Sequence, residues 1–314
     1  MVALHFLSHA LNSIGQSAFI FLDRRAERQE LEINPEFSSP VLTQAIINYH
    51  FEKQRCPVVV YPEIISGNPV AAPFVVRYVL NFPGLLGGDK CYDKDELCFG
   101  YSRTLARAAQ ASEENVLFIP ISDTRVFHPN YAKTPRTTTC FYAKKYKSLE
   151  REHELVFTHP QEAIEIDEHM SHEEIADIFN RSELFYCYEN SALALEAALC
   201  RCPTLFVKNR FFTDLIVDLE DGQDGWTCSD KPDEIERARL SVDNVFPKYM
   251  EAQRTFWQQL DRFIAITQQR AAMTSYVSPF SIGALEDAKR SRKDASRLNF
   301  FLTFLTGYRF SNLD

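Results

Sequence analysis

The chain has 314 residues, of which 45% are hydrophobic and 25% are charged. This length and composition predict a globular protein with one large or two medium domains. The formal net charge of −9 argues against a general nucleic-acid binder, because neutralising phosphates requires a basic surface. No nucleic-acid partner is expected.

The cysteine pattern and the length of the apolar runs indicate the cellular compartment of the protein. The eight cysteines include no CxxC pair, which is typical of buried free thiols in a reducing environment. Polar residues such as His5 and His9 interrupt the first turns of the chain, so no secretory signal is predicted, and no apolar run reaches the length of a membrane span. We therefore predict a cytoplasmic protein.

The first predicted elements are a helix from Val2 to Ser13 and a strand from Ala18 to Leu22. A Rossmann-like domain usually opens with a strand and a Gly-rich turn before its first helix. Both features are missing here. Either a preceding segment lies outside this chain or the first domain has lost an element, and the sequence leaves the two open.

A second helix is predicted from Leu42 to Gln54, followed by a buried parallel strand from Cys56 to Tyr61. A loop with Gly and Pro comes next, and Ala72 to Leu80 is predicted as a helix. In this loop Glu63 follows the carboxyl end of the strand, where a general base would lie. The alternative is that Glu63 caps a helix or pairs with Arg77.

The middle of the chain shows a short buried strand, Asn115 to Pro120, and a polar linker from His128 to Arg136. Thr138 to Lys144 then alternates polar and apolar residues, which predicts the first strand of a second domain. This strand ends in the pair Lys144 and Lys145. Lysines at a strand end lie where ligands of parallel sheets bind, although paired lysines are often only solvated surface residues.

The next region contains a helix start with a capping box, formed by Ser171 and Glu174 at a spacing of three. Acidic and imidazole side chains are crowded just before and at this start, but their spacing matches no metal template. We predict no metal site. The crowded residues are Asp167, Glu168, His169 and His172. A further site candidate is His159, beside Pro160, with an ordinary polar loop residue as the alternative.

The most informative stretch is a strand, Leu184 to Cys187, a polar turn, a helix closed by Pro203, and a second strand, Thr204 to Val207. In such units a ligand binds at the turn after the first strand, where backbone N–H groups are free. Asn190 or Ser191 is predicted to cap the helix. Glu196 follows about one and a half turns later. An amphipathic helix with an ordinary Glu and capping Ser would show the same pattern.

This stretch resembles the donor-binding motif of GT-B glycosyltransferases of the bacterial polysaccharide-synthesis type, which reads EAxxCGCP. The resemblance implies that Glu196 binds the ribose hydroxyls and that Ser191 and its neighbours bind the nucleotide diphosphate. These neighbours are Tyr188, Glu189, Asn190 and Ala192. Two departures are Tyr188, where many retaining members have a second Glu, and Arg201, where the motif has Gly.

Other segments are similar to the same family. They include the block from Tyr61 to Gly84, the segment from Ile121 to Phe127, and Lys144 with Lys145, where the family keeps a basic residue that faces the pyrophosphate. The resemblance implies a metal-independent enzyme with no cofactor besides the nucleotide-diphosphate sugar that it uses as donor.

Taken together, the expected architecture is α/β, with two Rossmann-like domains facing each other across a cleft and the first lacking its opening strand. The predicted boundaries are an acceptor domain over 1–132, a donor domain over 133–245, and C-terminal helices over 246–314 that cross back to the first domain. The expected activity is sugar transfer to a hydroxyl acceptor, a glycan or lipid-linked glycan, in surface polysaccharide synthesis. The alternatives are a non-catalytic binding or scaffold subunit and a nucleotide-sugar 2-epimerase.

The C-terminal region combines a basic run, Lys289 to Lys293, with an apolar stretch from Leu298 to Leu305. Basic residues followed by apolar ones can contact an anionic membrane surface. Residues 289–305 are therefore predicted to give peripheral contact with the inner membrane, which suits a lipid-linked acceptor. The same stretch could equally pack on the protein or bind a neighbouring subunit.

Overall fold

The described residues form two five-stranded sheets. The computed structural model describes residues 2–21, 37–130, 135–149, 156–167, 169–210, 212 and 223–282, and the backbone of 300–304. Contacts divide the chain into a first unit, Met1–Ile121 with Phe256–Asp314, and a second unit, Ser122–Thr255. The α/β class predicted from the sequence is confirmed, whereas the arrangement of two facing domains and their boundaries stays a prediction.

The first unit contains a mixed sheet with strand order β1-β10-β2-β3-β4. Its helices are α1, α2, α3 and the end of the long α8. In chain order the elements are α1 (Val2–Ser13), β1 (Ser17–Phe21), α2 (Gln44–Glu52), β2 (Val58–Pro62), β3 (Val75–Val79), β4 (Leu97–Gly100), α3 (Arg103–Ala108), α8 (Val245–Ala272) and β10 (Phe300–Phe304).

The second unit contains an all-parallel sheet with strand order β6-β5-β7-β8-β9. Helices follow β5, β6, β7 and β9 along the chain, which is the pattern of βαβ units. The elements are β5 (Thr138–Tyr142), α4 (Lys144–Leu149), β6 (Ile164–Glu165), α5 (His172–Arg181), β7 (Ser182–Cys187), α6 (Leu193–Leu199), β8 (Thr204–Phe206), β9 (Trp226–Thr227) and α7 (Pro232–Ser241).

Local signals locate several elements well. Helix α1 has the predicted bounds. The capping box of α5 is present, because the Ser171 hydroxyl accepts the Glu174 N–H at 3.2 Å and the Glu174 carboxylate accepts the Ser171 N–H at 2.7 Å. The predicted strand of the donor motif is confirmed as β7.

The helix predicted from Ala72 to Leu80 is wrong, because this segment forms strand β3. All five β3 residues are buried, and Val75, Val76 and Val79 are β-branched, which favours a strand enclosed on both faces. The predicted strand from Asn115 to Pro120 is reduced to one bridge between Gly100 and Val116. The strand predicted to end at Lys144 ends at Tyr142, and Lys144 begins α4.

Strand β10 comes from the C-terminal part of the chain and lies between β1 and β2, antiparallel to both. The C-terminal part of the chain therefore contributes a strand to the sheet of the first unit. Backbone pairing of Phe300–Phe304 agrees with the alternative that the apolar stretch packs on the protein. Residues 289–299 and 305 lie outside the described residues, so membrane contact stays a prediction.

A glycine-rich loop follows β3 and approaches Glu63 closely. A Cβ atom on Gly88, whose φ is +76°, would lie 1.9 Å from the Glu63 carbonyl oxygen. The adjacent Gly87 also has a positive φ, +107°, but an added Cβ would meet nothing within 4 Å. The two positions therefore separate steric exclusion from backbone strain.

We expect Gly88→Ala to lower the free energy of unfolding by roughly 2–3 kcal/mol, because backbone strain and overlap with a carbonyl add. Gly87→Ala should cost only about 1 kcal/mol, from the left-handed conformation alone. Urea denaturation of both variants measures the difference. Equal losses in the two variants would contradict the close approach of this loop to Glu63.

Candidate functional site

The candidate site begins at the carboxyl ends of β5 and β7, which are neighbouring parallel strands paired through Tyr142 and Cys187. Helix α4 starts just after β5, and the turn 188–192 follows β7. The two segments meet directly, because the Lys145 ammonium donates a hydrogen bond to the Asn190 carbonyl at 3.0 Å. The predicted diphosphate lysine and the predicted nucleotide turn therefore lie together at one edge of the sheet.

Glu189 binds the start of α4 from inside the protein. Its side chain is fully buried, and one carboxylate oxygen accepts the backbone N–H groups of Lys145 and Tyr146, the latter at 3.3 Å. Its other oxygen lies 3.5 Å from the Lys145 ammonium. Glu189 thus supplies the anion for this helix start and fixes Lys145 against the turn.

Tyr188 also lies in the core of the second unit, where it is fully buried. Its hydroxyl is 2.8 Å from the Thr158 backbone nitrogen and 2.9 Å from His159 Nδ1. The ring stacks on Tyr146 with centroids 5.6 Å apart. His159 stacks on Phe141 at 3.8 Å, and burial lowers the pKa of His159. Tyr188 therefore fixes the segment after Val156 rather than presenting its side chain to solvent.

The start of α6 differs from the predicted side-chain cap. The N-cap residue is Ala192, already in the helical region with φ −58° and ψ −26°, and no side chain caps the helix. The Ser191 hydroxyl accepts the Leu193 N–H at 3.3 Å, which closes a local turn. Capping by Asn190 or Ser191 is therefore wrong, because capping side chains act from an extended N-cap residue.

The carboxyl group of Glu196 has a pKa well above its usual value. Burial raises the pKa of Glu196 to about 7, against a smaller lowering by its hydrogen bond from Ser122. This bond runs from the Ser122 hydroxyl to Glu196 Oε1 at 3.3 Å. Tyr249 holds Ser122 in turn: its hydroxyl accepts the Ser122 N–H at 3.0 Å and donates to the Ser122 carbonyl at 3.1 Å.

Sequence reasoning missed Ser122 and Tyr249. Ser122 lies 74 positions before Glu196 and 127 before Tyr249, so no local spacing connects them. A carboxyl with a pKa near neutrality can switch between accepting and donating hydrogen bonds at physiological pH. Glu196 is therefore chemically suited to contact hydroxyl groups of a ligand.

The partly buried Glu196 carboxyl should lower the stability of the protein at neutral pH. Folding favours the protonated form, so the penalty is absent below the ordinary pKa of 4.5 and grows as pH rises to about 7. We expect Glu196→Gln to match wild type in stability near pH 4 and to exceed it above pH 7, by on the order of 1–3 kcal/mol. Urea denaturation across this pH range measures the difference, and a pH-independent difference would contradict the shifted pKa.

Glu63 lies directly after β2, as predicted, but its side chain is only 4% exposed. Its Oε2 accepts the Leu80 N–H at 2.9 Å, and burial raises the pKa of Glu63. The alternative that Glu63 pairs with Arg77 is wrong, because the guanidinium of Arg77 forms its ion pair with Glu96 at 2.6 Å. Glu63 joins the ends of β2 and β3.

Two cavities of the first unit are lined by other residues. One, of about 870 Å³, lies between the end of α2 and the end of α8 and includes Arg55, Cys56 and Tyr276. The second, of about 360 Å³, is lined by the loop after Asn68 and by residues that follow α8. None of the predicted site residues lines either cavity.

In the described part of the chain, no group of three or more His, Cys, Asp or Glu could hold a metal ion. Glu168, one of the crowded acidic residues, lies outside that part. Among the same residues, none of the helices combines the length and the apolar character needed to cross a bilayer.

Comparison with known proteins adds little. No protein-family model matches the chain, and no curated protein matches it. One solved structure that is similar is provisionally described as a UDP-N-acetylglucosamine 2-epimerase from Listeria monocytogenes, with 10% identity over 91% of this chain and 90% of that one. Its TM-score is 0.31, and at that level the likeness supports no inference about function.

Proposed function

We propose that the second unit binds a nucleoside-diphosphate sugar and that the protein transfers the sugar to a hydroxyl acceptor. The observation that carries the proposal is the junction at the carboxyl ends of β5 and β7, where Lys145 contacts Asn190 at 3.0 Å. Ligands of parallel α/β sheets bind at this edge. Glu196 follows on the helix that leaves the same turn, and the resemblance of 188–203 to a donor motif agrees.

In this proposal the site residues have separate tasks. Glu196 accepts hydrogen bonds from the ribose hydroxyls, while Lys144 and Lys145 neutralise the diphosphate. During transfer the bond from the anomeric carbon to the β-phosphate oxygen breaks and the acceptor oxygen bonds to that carbon. The leaving diphosphate gains negative charge, which fixed cations stabilise. The chemistry uses no metal or cofactor beyond the donor itself.

The acceptor proton requires a base, and Glu63 is the candidate that the sequence offers. In the proposed setting the acceptor is a glycan or lipid-linked glycan of surface polysaccharide synthesis, in the cytoplasm or at the inner membrane. Burial raises the pKa of Glu63, which is the direction that suits a group that takes up a proton. Its use as a base requires that a carboxylate oxygen become accessible to the acceptor, because the residue is buried.

The second candidate function is a subunit that binds a nucleotide sugar without transferring it. The burial of Glu63, with its carboxylate bound to the Leu80 amide, favours this candidate. The core position of Tyr188 favours it too, because the family's second Glu is replaced there by a side chain that contacts the protein interior. Both candidates require nucleotide binding and differ only in turnover.

A panel of UDP, GDP, TDP and CMP in a thermal-shift titration tests the proposal. A ligand that binds only the folded protein raises stability with the logarithm of its concentration over Kd. One diphosphate is expected to stabilise the protein, and CMP is expected to do so least. No stabilisation by any diphosphate would overturn both candidates.

Turnover of the matching nucleotide sugar then separates the remaining functions. Release of diphosphate that depends on an added acceptor supports the transferase. Binding without turnover supports the non-catalytic subunit. Conversion of the donor without acceptor would identify an epimerase instead.

A further inference from the structure

Ser122, the first residue of the second unit, forms a hydrogen bond with Glu196. The chain passes from the first unit to the second at Ile121 and Ser122, and returns at Thr255 and Phe256. Ser122 is only 3% exposed, and it lies in a segment without helix or strand. A buried serine in such a segment needs partners for its backbone and its hydroxyl.

All three polar groups of Ser122 are satisfied within the second unit. Its N–H and its carbonyl both bond to the hydroxyl of Tyr249, at 3.0 and 3.1 Å. Its side-chain hydroxyl donates to Glu196 at 3.3 Å. Tyr249 is fully buried in α8, and burial raises its pKa to about 12, so the phenol keeps its proton and its geometry.

We propose that Ser122 and Tyr249 are positioning residues for Glu196: Tyr249 fixes the backbone of Ser122, and the Ser122 hydroxyl orients the Glu196 carboxylate toward the ribose hydroxyls of the nucleotide. This inference rests on the proposed function for its ligand and on the three hydrogen bonds for its mechanism. A hydroxyl that donates to a carboxylate also stabilises its ionised form. Ser122 therefore keeps Glu196 in the state that accepts two ligand hydroxyls.

Several other titratable groups lie on α6 or on the elements packed around it. Tyr249 from α8 and Cys200 at the end of α6 interact electrostatically with the carboxyl. A short 3-10 helix, Val242–Asn244, packs on α6 and carries Asp243, which pairs with Arg201 at 2.5 Å. Two other elements that pack on α6, helix α5 and strand β7, carry charged or titratable side chains. Strand β7 carries the exposed Glu183. The residues of this kind on α5 are His172, Glu173, Glu174, Asp177 and Arg181.

The first arm of the test needs no nucleotide. Glutamate labelled with ¹³C at the carboxyl carbon is titrated by NMR in wild type and in Ser122→Ala, and Glu196→Gln assigns the resonance. Removing the donor should raise the Glu196 midpoint by roughly one pH unit. Tyr249→Phe should move it in the same direction, because Ser122 loses both backbone partners. A Ser122→Ala midpoint equal to that of wild type would overturn the inference.

The second arm titrates the nucleotide diphosphate identified by the panel. Ser122→Ala should weaken binding at every pH, because the carboxylate loses its orientation, and should weaken it by up to about a further tenfold below the Glu196 midpoint, since one pH unit corresponds to one decade. A loss that does not grow below the midpoint would indicate a structural role only and would contradict the inference. If wild type binds no nucleotide, the proposed function fails while the NMR arm still decides the role of Ser122.

Ser171→Ala is the matched control. It removes a serine hydroxyl from the same unit and breaks the capping box of α5, at a cost of about 1 kcal/mol. Ser171 bonds to Glu174 and not to Glu196. A shift of the Glu196 midpoint in this control equal to that in Ser122→Ala would assign the effect to general destabilisation and overturn the inference.

Discussion

Glu196→Ala is expected to abolish the stabilisation that a nucleoside diphosphate gives to the wild-type protein. At a ligand concentration of one hundred times Kd, a specific ligand adds about 2.7 kcal/mol to the free energy of unfolding. Two hydrogen bonds from ribose hydroxyls to a charged carboxylate contribute about 1.5–3 kcal/mol each. Their loss should weaken binding by a hundredfold or more, which removes nearly all of that gain at the same concentration.

The measurement compares ligand-induced shifts, because the substitution changes the stability of the free protein as well. Removal of this partly buried carboxyl relieves the penalty described for Glu196→Gln, so the absolute Tm of Glu196→Ala carries no information about binding. Titrations at pH 8 keep Glu196 largely ionised, since its pKa is about 7. Glu196→Gln should retain part of the affinity, because one acceptor oxygen remains.

Glu183→Ala is the matched control for this prediction. Glu183 is an exposed residue of β7 in the same unit, and its removal changes the net charge by the same amount. Its ligand-induced shift should equal that of wild type. An unchanged shift in Glu196→Ala would remove Glu196 from the nucleotide site, whatever the panel shows for the wild-type protein.

Arg77→Ala is expected to cause the largest loss of stability. The Arg77 side chain is fully buried and makes two hydrogen bonds to Glu96, at 2.6 and 3.0 Å. It also donates to the carbonyl groups of Ile65 and Gly67 in the loop after β2. Removing one partner of a buried ion pair typically costs about 3–5 kcal/mol, because the other charge stays buried without compensation.

Urea denaturation of Arg77→Ala and of Arg107→Ala measures this cost against a matched pair. Arg107 makes a similar two-contact ion pair with Glu113, but both side chains are more than half exposed. An exposed pair contributes about 0.2–1 kcal/mol. Equal losses in the two variants would contradict the buried position of Arg77 and its role in holding the loop that carries Glu63.

The ion-pair partner of Arg77 could not be predicted from the sequence. An ion pair with Arg77 was one of the alternatives that the sequence left open for Glu63. The structure pairs Arg77 of β3 with Glu96, which directly precedes the neighbouring parallel strand β4, and Glu63 accepts a backbone N–H. Partner choice among charged residues depends on strand order, which local spacing does not encode.

The sequence by itself determined the features that depend on residues a few positions apart. The capping box at Ser171 and the strand before the donor motif follow from local hydrogen bonding and from runs of apolar residues. The alternation of strands and helices in the second half determined the parallel α/β class. The resemblance of 188–203 to a donor motif is also local.

Only the tertiary structure decided the rest. Val75–Val79 is a strand because it is enclosed on both faces, and the same apolar run is compatible with a helix when its neighbours are unknown. Strand β10 pairs with residues more than two hundred positions away. Glu189 accepts N–H groups at the start of α4, and Glu196 accepts the hydroxyl of Ser122. Both contacts join segments that are far apart in the sequence. Burial and hydrogen bonding depend on which distant segments meet, and those contacts form only when the chain folds.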